Sequence, residues 1–235
     1  MRTVIDVEIW SDVVCPWCYI GKRRFERAVD AVADEIEVRA VYRPYQLDPT
    51  ASVGMTAPVF ETYAKKFGGP ERAAQIIGHV TNVAAADGLE FRMDLALRAN
   101  TLLAHRLLWL TESTGHQPAM KERLLQAYFH DGLDVGDPDV LADCAADIGL
   151  ERSAVRQFLD SEDGVAEVRL MIEVARDHEI TAVPTFVFAG APEGQAWMVP
   201  GAQDTDVFVT VLRRLAARRA AALDGVADDV AGVDG

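Results

Sequence analysis

The sequence contains few cysteines and no long apolar stretch. Only three of its 235 residues are cysteines, too few for the disulfide framework that stabilises many small secreted domains. No segment approaches the roughly 18 uninterrupted apolar residues that a membrane-spanning helix needs. The opening "MRTVIDVEIW" alternates acidic and apolar residues, whereas a secretory signal requires an apolar run of about 7–15 residues. We therefore expect a cytoplasmic protein, and in that reducing compartment structural disulfides are rare.

Positive charge is also scarce. Lys and Arg number 23 against 37 Asp and Glu, which gives a formal net charge of −14. Such a charge repels nucleic-acid phosphates and anionic lipid headgroups, so we expect neither nucleic acid nor membrane surfaces as partners. Hydrophobic residues make up 50% of the chain, which is enough for one large domain or for a domain with a big insertion.

The first part of the chain predicts a parallel βαβ unit. Residues 4–10, "VIDVEIW", alternate with a period of two, which is typical of a half-buried strand. From residue 15 to residue 33 the apolar residues recur at steps of three and four, which indicates a helix. Residues 36–44 have the pattern of a second strand, which Pro44 ends. This order of elements indicates a right-handed crossover between parallel strands.

The middle of the chain predicts helices, and strand signals return near its end. The middle segments begin with Pro, Asp or Ser and end with Gly, as helices do. A hairpin is predicted from residues 183–190 and 196–201, and a last helix from residues 204–222. The outer pieces therefore predict one α/β sheet domain into which a helical block is inserted. The predicted boundaries are 1–56 and 177–222 for the sheet domain, 57–176 for the insertion and 223–235 for an acidic flexible tail.

Two cysteines, Cys15 and Cys18, stand at the start of the first predicted helix, in "VVCPWCYIGKRRFE". A zinc site would need four ligands, and the third cysteine, Cys144, stands alone on the apolar face of another helix, where a core thiol is expected. Two inert buried cysteines are a weaker alternative, because the junction of a strand with a helix is an exposed place. A C-x-x-C motif in a βαβ unit of a cytosolic chain instead indicates redox chemistry.

The local physics of the motif also favours redox chemistry. Cys15 is expected at the helix N-terminus, where unpaired N–H groups and the helix dipole stabilise a thiolate. Pro16 suits the first helical turn, because the N–H that it lacks would be unpaired there. Cys18 lies one turn further on, close enough to attack a mixed disulfide on Cys15.

Several stretches of the chain occur together in a characteristic order. They are "CPWCYIGKRRFE", "PYQLDP", "NTLLAHRLLWL", "LLQAYFHDGLDVGDPDVLADCAADIGL", "AVPTFVF" and "VPGAQ". In this order they resemble the DsbA-like thiol–disulfide oxidoreductases, most closely the FrnE-like branch. That branch is related to 2-hydroxychromene-2-carboxylate isomerases and kappa-class glutathione transferases. The resemblance implies an α/β, thioredoxin-like fold with a large all-helical insertion, in agreement with the layout of the elements.

The resemblance also implies roles for individual residues. Cys15 corresponds to the attacking thiol of the family and Cys18 to the resolving thiol. Pro184 corresponds to a cis-proline that faces this pair, and a trans proline at the start of a strand is the alternative. The Val183 backbone would pair with an extended substrate segment. The residues expected to contact substrate are Pro16, Trp17, Val183 and Thr185.

One position departs from the family pattern. Thioredoxins and DsbA carry a buried acid six residues before the first cysteine, and here that position is Ile9. Glu8 is expected on the opposite face of the strand, and Asp12 is expected to be a loop or capping residue. His105 is expected to be a core histidine bonded to a backbone carbonyl, with a place beside the active-site cleft as the alternative. The source of proton transfer therefore stays open.

Thiol–disulfide exchange through a mixed disulfide is the leading hypothesis, and its direction as oxidase, reductase or isomerase stays open. A glutathione-dependent isomerase or transferase is the alternative, but those relatives usually carry Ser at the first motif position and lack the second cysteine. A binding or holdase role, independent of both thiols, is a third hypothesis. The expected partners are protein or small-molecule thiols and disulfides, glutathione among them. No cofactor and no metal are expected, and the chain is expected to be a monomer or a homodimer.

Cys15→Ser should abolish the acceleration of insulin reduction by dithiothreitol, whereas Cys144→Ser should leave that activity nearly intact. The reason is position, because Cys15 lies at a helix N-terminus and Cys144 lies within a helix. The turbidity of reduced insulin measures the activity, and circular dichroism shows whether each variant is folded. An equal loss of activity in a folded Cys144→Ser variant would contradict the assignment of Cys15.

Overall fold

The computed structural model describes residues 2–189 and 196–231, with side chains described as far as residue 221. Its elements follow in the order β1 (Thr3–Ser11), α1 (Pro16–Ala31), β2 (Ile36–Pro44), β3 (Ala57–Pro58), α2 (Val59–Phe67), α3 (Pro70–Ala86), β4 (Leu97–Arg98), α4 (Leu102–Glu112), α5 (Gln117–Phe129), α6 (Pro138–Asp147), α7 (Arg152–Asp160), α8 (Val165–Asp177), β5 (Thr185–Phe188), β6 (Trp197–Pro200) and α9 (Thr205–Ala231). Among the helices described, none has the length and apolar character needed to cross a membrane.

The two outer parts of the chain form one four-stranded sheet, in the order β2-β1-β5-β6. β1 runs parallel to β2 and antiparallel to β5, and β6 pairs antiparallel with β5. The predicted βαβ unit and hairpin pairing are therefore both present, and helices α2 to α8 lie between β2 and β5 in the chain. This arrangement confirms the predicted α/β, thioredoxin-like fold with a large helical insertion.

Helices cover both faces of the sheet. α1 and α9 pack on one face, where the rings of Phe25 and Phe208 lie 5.1 and 4.5 Å from the ring of Phe186. The end of α8 packs on the other face, where Ala175 joins Trp10 in a smaller apolar cluster. A shift of β1 by one residue relative to its neighbours would move each side chain to the opposite face of the sheet. Because both faces are buried, this cost fixes the register of β1. The end of β1, and with it the start of α1, is held in place.

Some element boundaries differ from the predictions. Within the insertion, β3 and β4 form an antiparallel pair of two residues each, which is too short to produce a periodic pattern in the sequence. α9 continues to Ala231, past the predicted end at residue 222, because its alanine-rich sequence favours a helix. Residues 190–195 of the predicted hairpin and 232–235 of the predicted tail lie outside the described residues. The domain boundaries stay predictions.

Helix α5 is attached both to the sheet and to α1. The Gln117 side chain accepts a hydrogen bond from the Tyr42 N–H (2.8 Å) and donates one to the Tyr42 carbonyl (3.1 Å). It thereby covers part of the open edge of β2. Glu122 accepts a hydrogen bond from the Arg23 guanidinium (2.8 Å) and forms an ion pair with Lys22 of α1. Together these contacts fix the rotation of α5 about its own axis.

The buried Arg106 of α4 organises the turn that follows α7. Arg106 is 2% exposed, and its guanidinium donates hydrogen bonds of 2.8–3.2 Å to four backbone carbonyls. The last carbonyls of a helix have no partner within the helix, and Arg106 supplies the missing donors. The four accepting residues are Phe158, Leu159, Ser161 and Asp163.

Arg106→Met should lower the free energy of unfolding by at least about 3 kcal/mol, because it leaves several buried carbonyls without a donor. Urea denaturation followed by circular dichroism measures the change. Arg169→Met removes the same charge from an exposed position of α8 and should change the free energy of unfolding by less than about 0.5 kcal/mol. An unchanged denaturation midpoint in Arg106→Met would show that the turn does not need this residue.

Candidate active site

Cys15 is the N-cap of α1, and Pro16 is the first residue of that helix. The Cys15 Sγ accepts a hydrogen bond of 3.3 Å from the Cys18 N–H. A sulfur at this position faces the unpaired amides of the first helical turn, which stabilise a negative charge. The structure therefore places Cys15 at the helix start that the sequence predicts, with Cys18 one turn along α1.

Both thiols are more enclosed than the sequence predicts. Cys15 is 3% exposed and Cys18 is 2% exposed, so the expectation of an exposed junction is wrong. The covering segments are far away in the sequence, which is why the local pattern does not reveal them. Only Cys15 of the pair lines the adjacent cleft. Both residues are free thiols in this structure.

The loop before β5 packs directly against α1. The Val183–Pro184 peptide bond is cis, and the Cys15 thiol lies 3.7 Å from the Val183 carbonyl oxygen, to which it can donate. Pro184 fits against Gly21, since a Cβ at residue 21 would lie only 2.9 Å from the Pro184 Cγ. A side chain at residue 21 would therefore push this loop away from the cysteine pair.

The predicted substrate-contacting residues lie partly in one cleft. The cleft has a volume of about 470 Å³, and its lining includes Cys15, Pro16, Trp17 and Val183. Among the described residues, no hydrogen-bond partner is found for the Val183 N–H. Thr185 is not part of the cleft, because it is buried in β5 and its hydroxyl donates to the Ala182 carbonyl at 2.8 Å.

The walls of the cleft are mainly apolar and come from both parts of the chain. Trp17 is 38% exposed, and Leu47 and Phe67 are each 40% exposed. Tyr63 of α2 also lines the cleft, where burial, helped by the charge of Cys15, raises the pKa of its phenol to about 12. The cleft can therefore hold an apolar group beside the Cys15 sulfur.

Cys18 faces the interior behind Cys15. Burial raises the pKa of the Cys18 thiol, and the hydrogen bond and charge of Cys15 raise it further. The charge of Lys121 and the Asp12 backbone act in the opposite direction. The second thiol of the motif therefore needs a favourable charge nearby in order to lose its proton.

Asp12 and His105 have the structural roles that the sequence predicts. The Asp12 carboxylate accepts hydrogen bonds from the N–H groups of Val13 and Leu47, both at 2.8 Å, and so holds two loops together. His105 Nε2 lies 3.1 Å from an Asp12 oxygen and 3.0 Å from the Tyr45 carbonyl oxygen. His105 is 2% exposed and is thus a core histidine bonded to a backbone carbonyl.

Lys121 of α5 has no role predicted from the sequence, although its charge interacts with Cys18. Lys121 is 1% exposed, and a lysine is almost never fully buried unless it is paired. The signal in the sequence is its position, because it shares the buried stripe of its helix with Leu124, Leu125 and Tyr128. A lone lysine on such a stripe marks a candidate functional residue.

Comparison with known proteins gives consistent matches along the chain. A profile of the DSBA-like thioredoxin domain matches residues 6–213. A probable DsbA oxidoreductase from Streptomyces coelicolor has a similar crystal structure, with a TM-score of 0.81 and 34% identity over 90% of this chain and 89% of that chain. The uncharacterized protein YwbO from Bacillus subtilis is 25% identical over 87% of this chain and 94% of its own length. The cytosolic disulfide reductase DsbM from Pseudomonas aeruginosa, also solved with GSH, has the same fold, with a TM-score of 0.58 and 16% identity over 93% of this chain and 98% of that chain.

Cys15 should be alkylated before Cys18 in the native protein. Cys15 borders the cleft, whereas burial shields Cys18 and raises the pKa of its thiol. A short treatment with iodoacetamide near pH 6, followed by unfolding, a second label and peptide mass spectrometry, measures the order. Cys144 serves as an internal control, because burial raises the pKa of its thiol as well. Earlier labelling of Cys18 would contradict this reading of the site.

Proposed function

Because the chain belongs to the DSBA-like thioredoxin domain family, we propose that it is a thiol–disulfide oxidoreductase that works through Cys15 and Cys18. The observation that carries the proposal is the position of the Cys15 sulfur. It lies at the N-terminus of α1, beside an apolar cleft and 3.7 Å from the Val183 carbonyl oxygen. A client disulfide can approach Cys15 from the cleft, while Cys18 stays behind it for the second step.

The proposed reaction has two steps in the reducing direction. The Cys15 thiolate attacks one sulfur of a client disulfide, a mixed disulfide forms, and the other client sulfur leaves as a thiolate and takes up a proton. Cys18 then loses its proton and attacks the Cys15 Sγ, which releases the second client sulfur. Two electrons have passed from the protein to the client, and Cys15 and Cys18 are joined in a disulfide. The oxidising direction is the reverse sequence.

The cytoplasmic location expected from the sequence favours the reducing direction. A reducing glutathione pool keeps such a motif in its dithiol form unless the thiolate is unusually stabilised. The protein would then reduce client disulfides and be reduced again by small thiols. Glutathione is one candidate for that small thiol, and the structure of DsbM with GSH supports it.

The proposed client is an extended segment that carries a disulfide. Among the described residues the Val183 N–H has no hydrogen-bond partner, so it can donate to the backbone of such a segment. Trp17, Leu47 and Phe67 offer apolar surface beside it, so an apolar side chain near the client cysteine should favour binding. A small disulfide can enter the same cleft, whose volume is about 470 Å³.

Cys18→Ser should accumulate a stable mixed disulfide on Cys15, because the second step then has no attacking thiol. Incubation of the reduced variant with oxidised glutathione, followed by intact-protein mass spectrometry, measures the adduct. The matched control is Cys15→Ser, which should form little adduct under the same conditions. An adduct in Cys15→Ser but not in Cys18→Ser would reverse the two roles. No adduct in either variant would contradict thiol–disulfide exchange and favour a binding role for the cleft.

A further inference from the structure

Lys121 carries a buried amine whose hydrogen-bonding capacity is not used. The residue is 1% exposed, and its Nζ has no hydrogen-bond partner in the described part of the chain. The Nζ lies 5.6 Å from the centre of the Tyr42 ring. Burying an ammonium without hydrogen bonds is unfavourable, and buried amines of this kind serve proton transfer in many active sites.

Two anchors on α5 direct the Lys121 side chain. Gln117, one turn earlier on the same side of the helix, is bonded to the Tyr42 backbone, and Glu122, the next residue, is bonded to side chains of α1. α5 can therefore neither rotate nor slide without breaking contacts to the sheet or to α1. The amine is held on the side of the sheet where Tyr42 packs beneath α1.

The amine lies in the region that the absent acid would occupy. Tyr42 is paired in register with Ile9 of β1, and both belong to the apolar cluster beneath α1. Ile9 is the position at which the sequence departs from the family pattern of a buried acid. The largest charge interaction of Lys121 is with Cys18. The charge of Lys121, which comes from the insertion, thus interacts with the Cys18 thiol in a region where β1 carries Ile9 and no acid.

We propose that the Lys121 amine takes up the proton of Cys18 and that the resulting ammonium stabilises the Cys18 thiolate in the resolving step. This role rests on the proposed thiol–disulfide exchange. Lys121 is a positioning residue for that reaction, because it acts on the client only through Cys18.

The resolving step moves one proton and one electron pair. In the mixed disulfide, the proton of the Cys18 thiol passes to the neutral Lys121 amine. The Cys18 thiolate attacks the Cys15 sulfur, the bond between Cys15 and the client breaks, and the client sulfur leaves with the electron pair. The ammonium returns its proton to the client thiolate or to water. Burial lowers the pKa of Lys121 to about 8, so that the neutral amine is accessible near physiological pH.

Apart from the two cysteines, the titratable groups that interact with Lys121 are engaged elsewhere. Asp12 accepts hydrogen bonds from two backbone N–H groups and lies 3.1 Å from His105 Nε2. Lys22 is paired with glutamates of α1 and α5. Burial raises the pKa of Tyr42, so that its hydroxyl stays protonated. Among the described residues near Cys18, Lys121 is therefore a group whose proton is free to exchange.

Reaction with dithiobis(nitrobenzoate) separates the two thiol steps in a Cys144→Ser background. Attack by Cys15 on the reagent releases a first equivalent of coloured thiolate, and attack by Cys18 on the mixed disulfide releases a second. The leaving thiolate is weakly basic, so the second phase reports the ionisation of Cys18 alone. Stopped-flow absorbance between about pH 6 and pH 10 follows both phases.

Lys121→Met should leave the first phase unchanged and slow the second phase near pH 7 by at least about tenfold. A tenfold loss corresponds to a rise of about one unit in the pKa of Cys18. In the wild type the rate of the second phase should level off above pH 8. In Lys121→Met it should continue to rise, because Cys18 then titrates without a cation beside it. Lys65→Met, which removes the same charge from an exposed position, should match the wild type in both phases.

The outcomes separate the two proposals. A second phase with unchanged rate and pH dependence in Lys121→Met would overturn the role of Lys121 and leave thiol–disulfide exchange standing. A wild-type protein that releases no second equivalent would overturn the proposed function itself.

A second experiment tests the proposal without replacing Lys121, in case the Lys121→Met variant does not fold. The chain has only four lysines, so carbon-labelled lysine gives a simple NMR spectrum in which Lys121 can be titrated. Ionisation of Cys18 raises the pKa of Lys121 in the wild type, so Cys18→Ser, which has no ionisable group at residue 18, should lower that pKa. An unchanged titration midpoint would overturn the proposal.

Discussion

The close contact between Pro184 and Gly21 is the constraint on which the site depends. Because residue 21 has no side chain, the Val183–Pro184 loop lies directly on α1. The contact brings the Val183 carbonyl to the Cys15 thiol across a separation of 168 residues. The segments before and after the insertion are thereby joined, and the backbone that would bind a client is held beside the sulfur that would attack it.

The insertion acts on both sides of the cysteine pair. In front of Cys15, α2 and α3 supply the apolar wall of the cleft. Behind Cys18, α5 supplies a buried cation and is held in place by its bonds to β2 and α1. A sheet and one helix alone would provide the motif and one side of the cleft, but they would provide neither the wall formed by α2 and α3 nor the buried Lys121.

The basic residues that follow the motif are engaged with acids of the insertion. Arg24 and Arg27 each lie 2.8 Å from an oxygen of Asp87, and Arg23 and Lys22 bind Glu122. These pairs attach α1 to α3 and α5, so the orientation of the helix that carries both thiols depends on them. Ion pairs that are partly shielded from water are screened less by salt than exposed ones. An acidic chain thus uses scarce positive charge to connect its two parts.

The features that depend on neighbouring residues can be predicted from the amino-acid sequence alone. The strand and helix periods, the Pro after Cys15 and the C-x-x-C spacing are local, so they predicted the βαβ unit, the helix start and the order of the elements. Three further features depend on tertiary packing: both thiols are buried, Thr185 lies outside the cleft, and Lys121 is buried where its charge interacts with Cys18. The reason is the distance between the contacting residues along the chain. α1 and α5 meet through residues 100 positions apart, and the residue pattern within one helix does not encode which residues of the other helix it will contact.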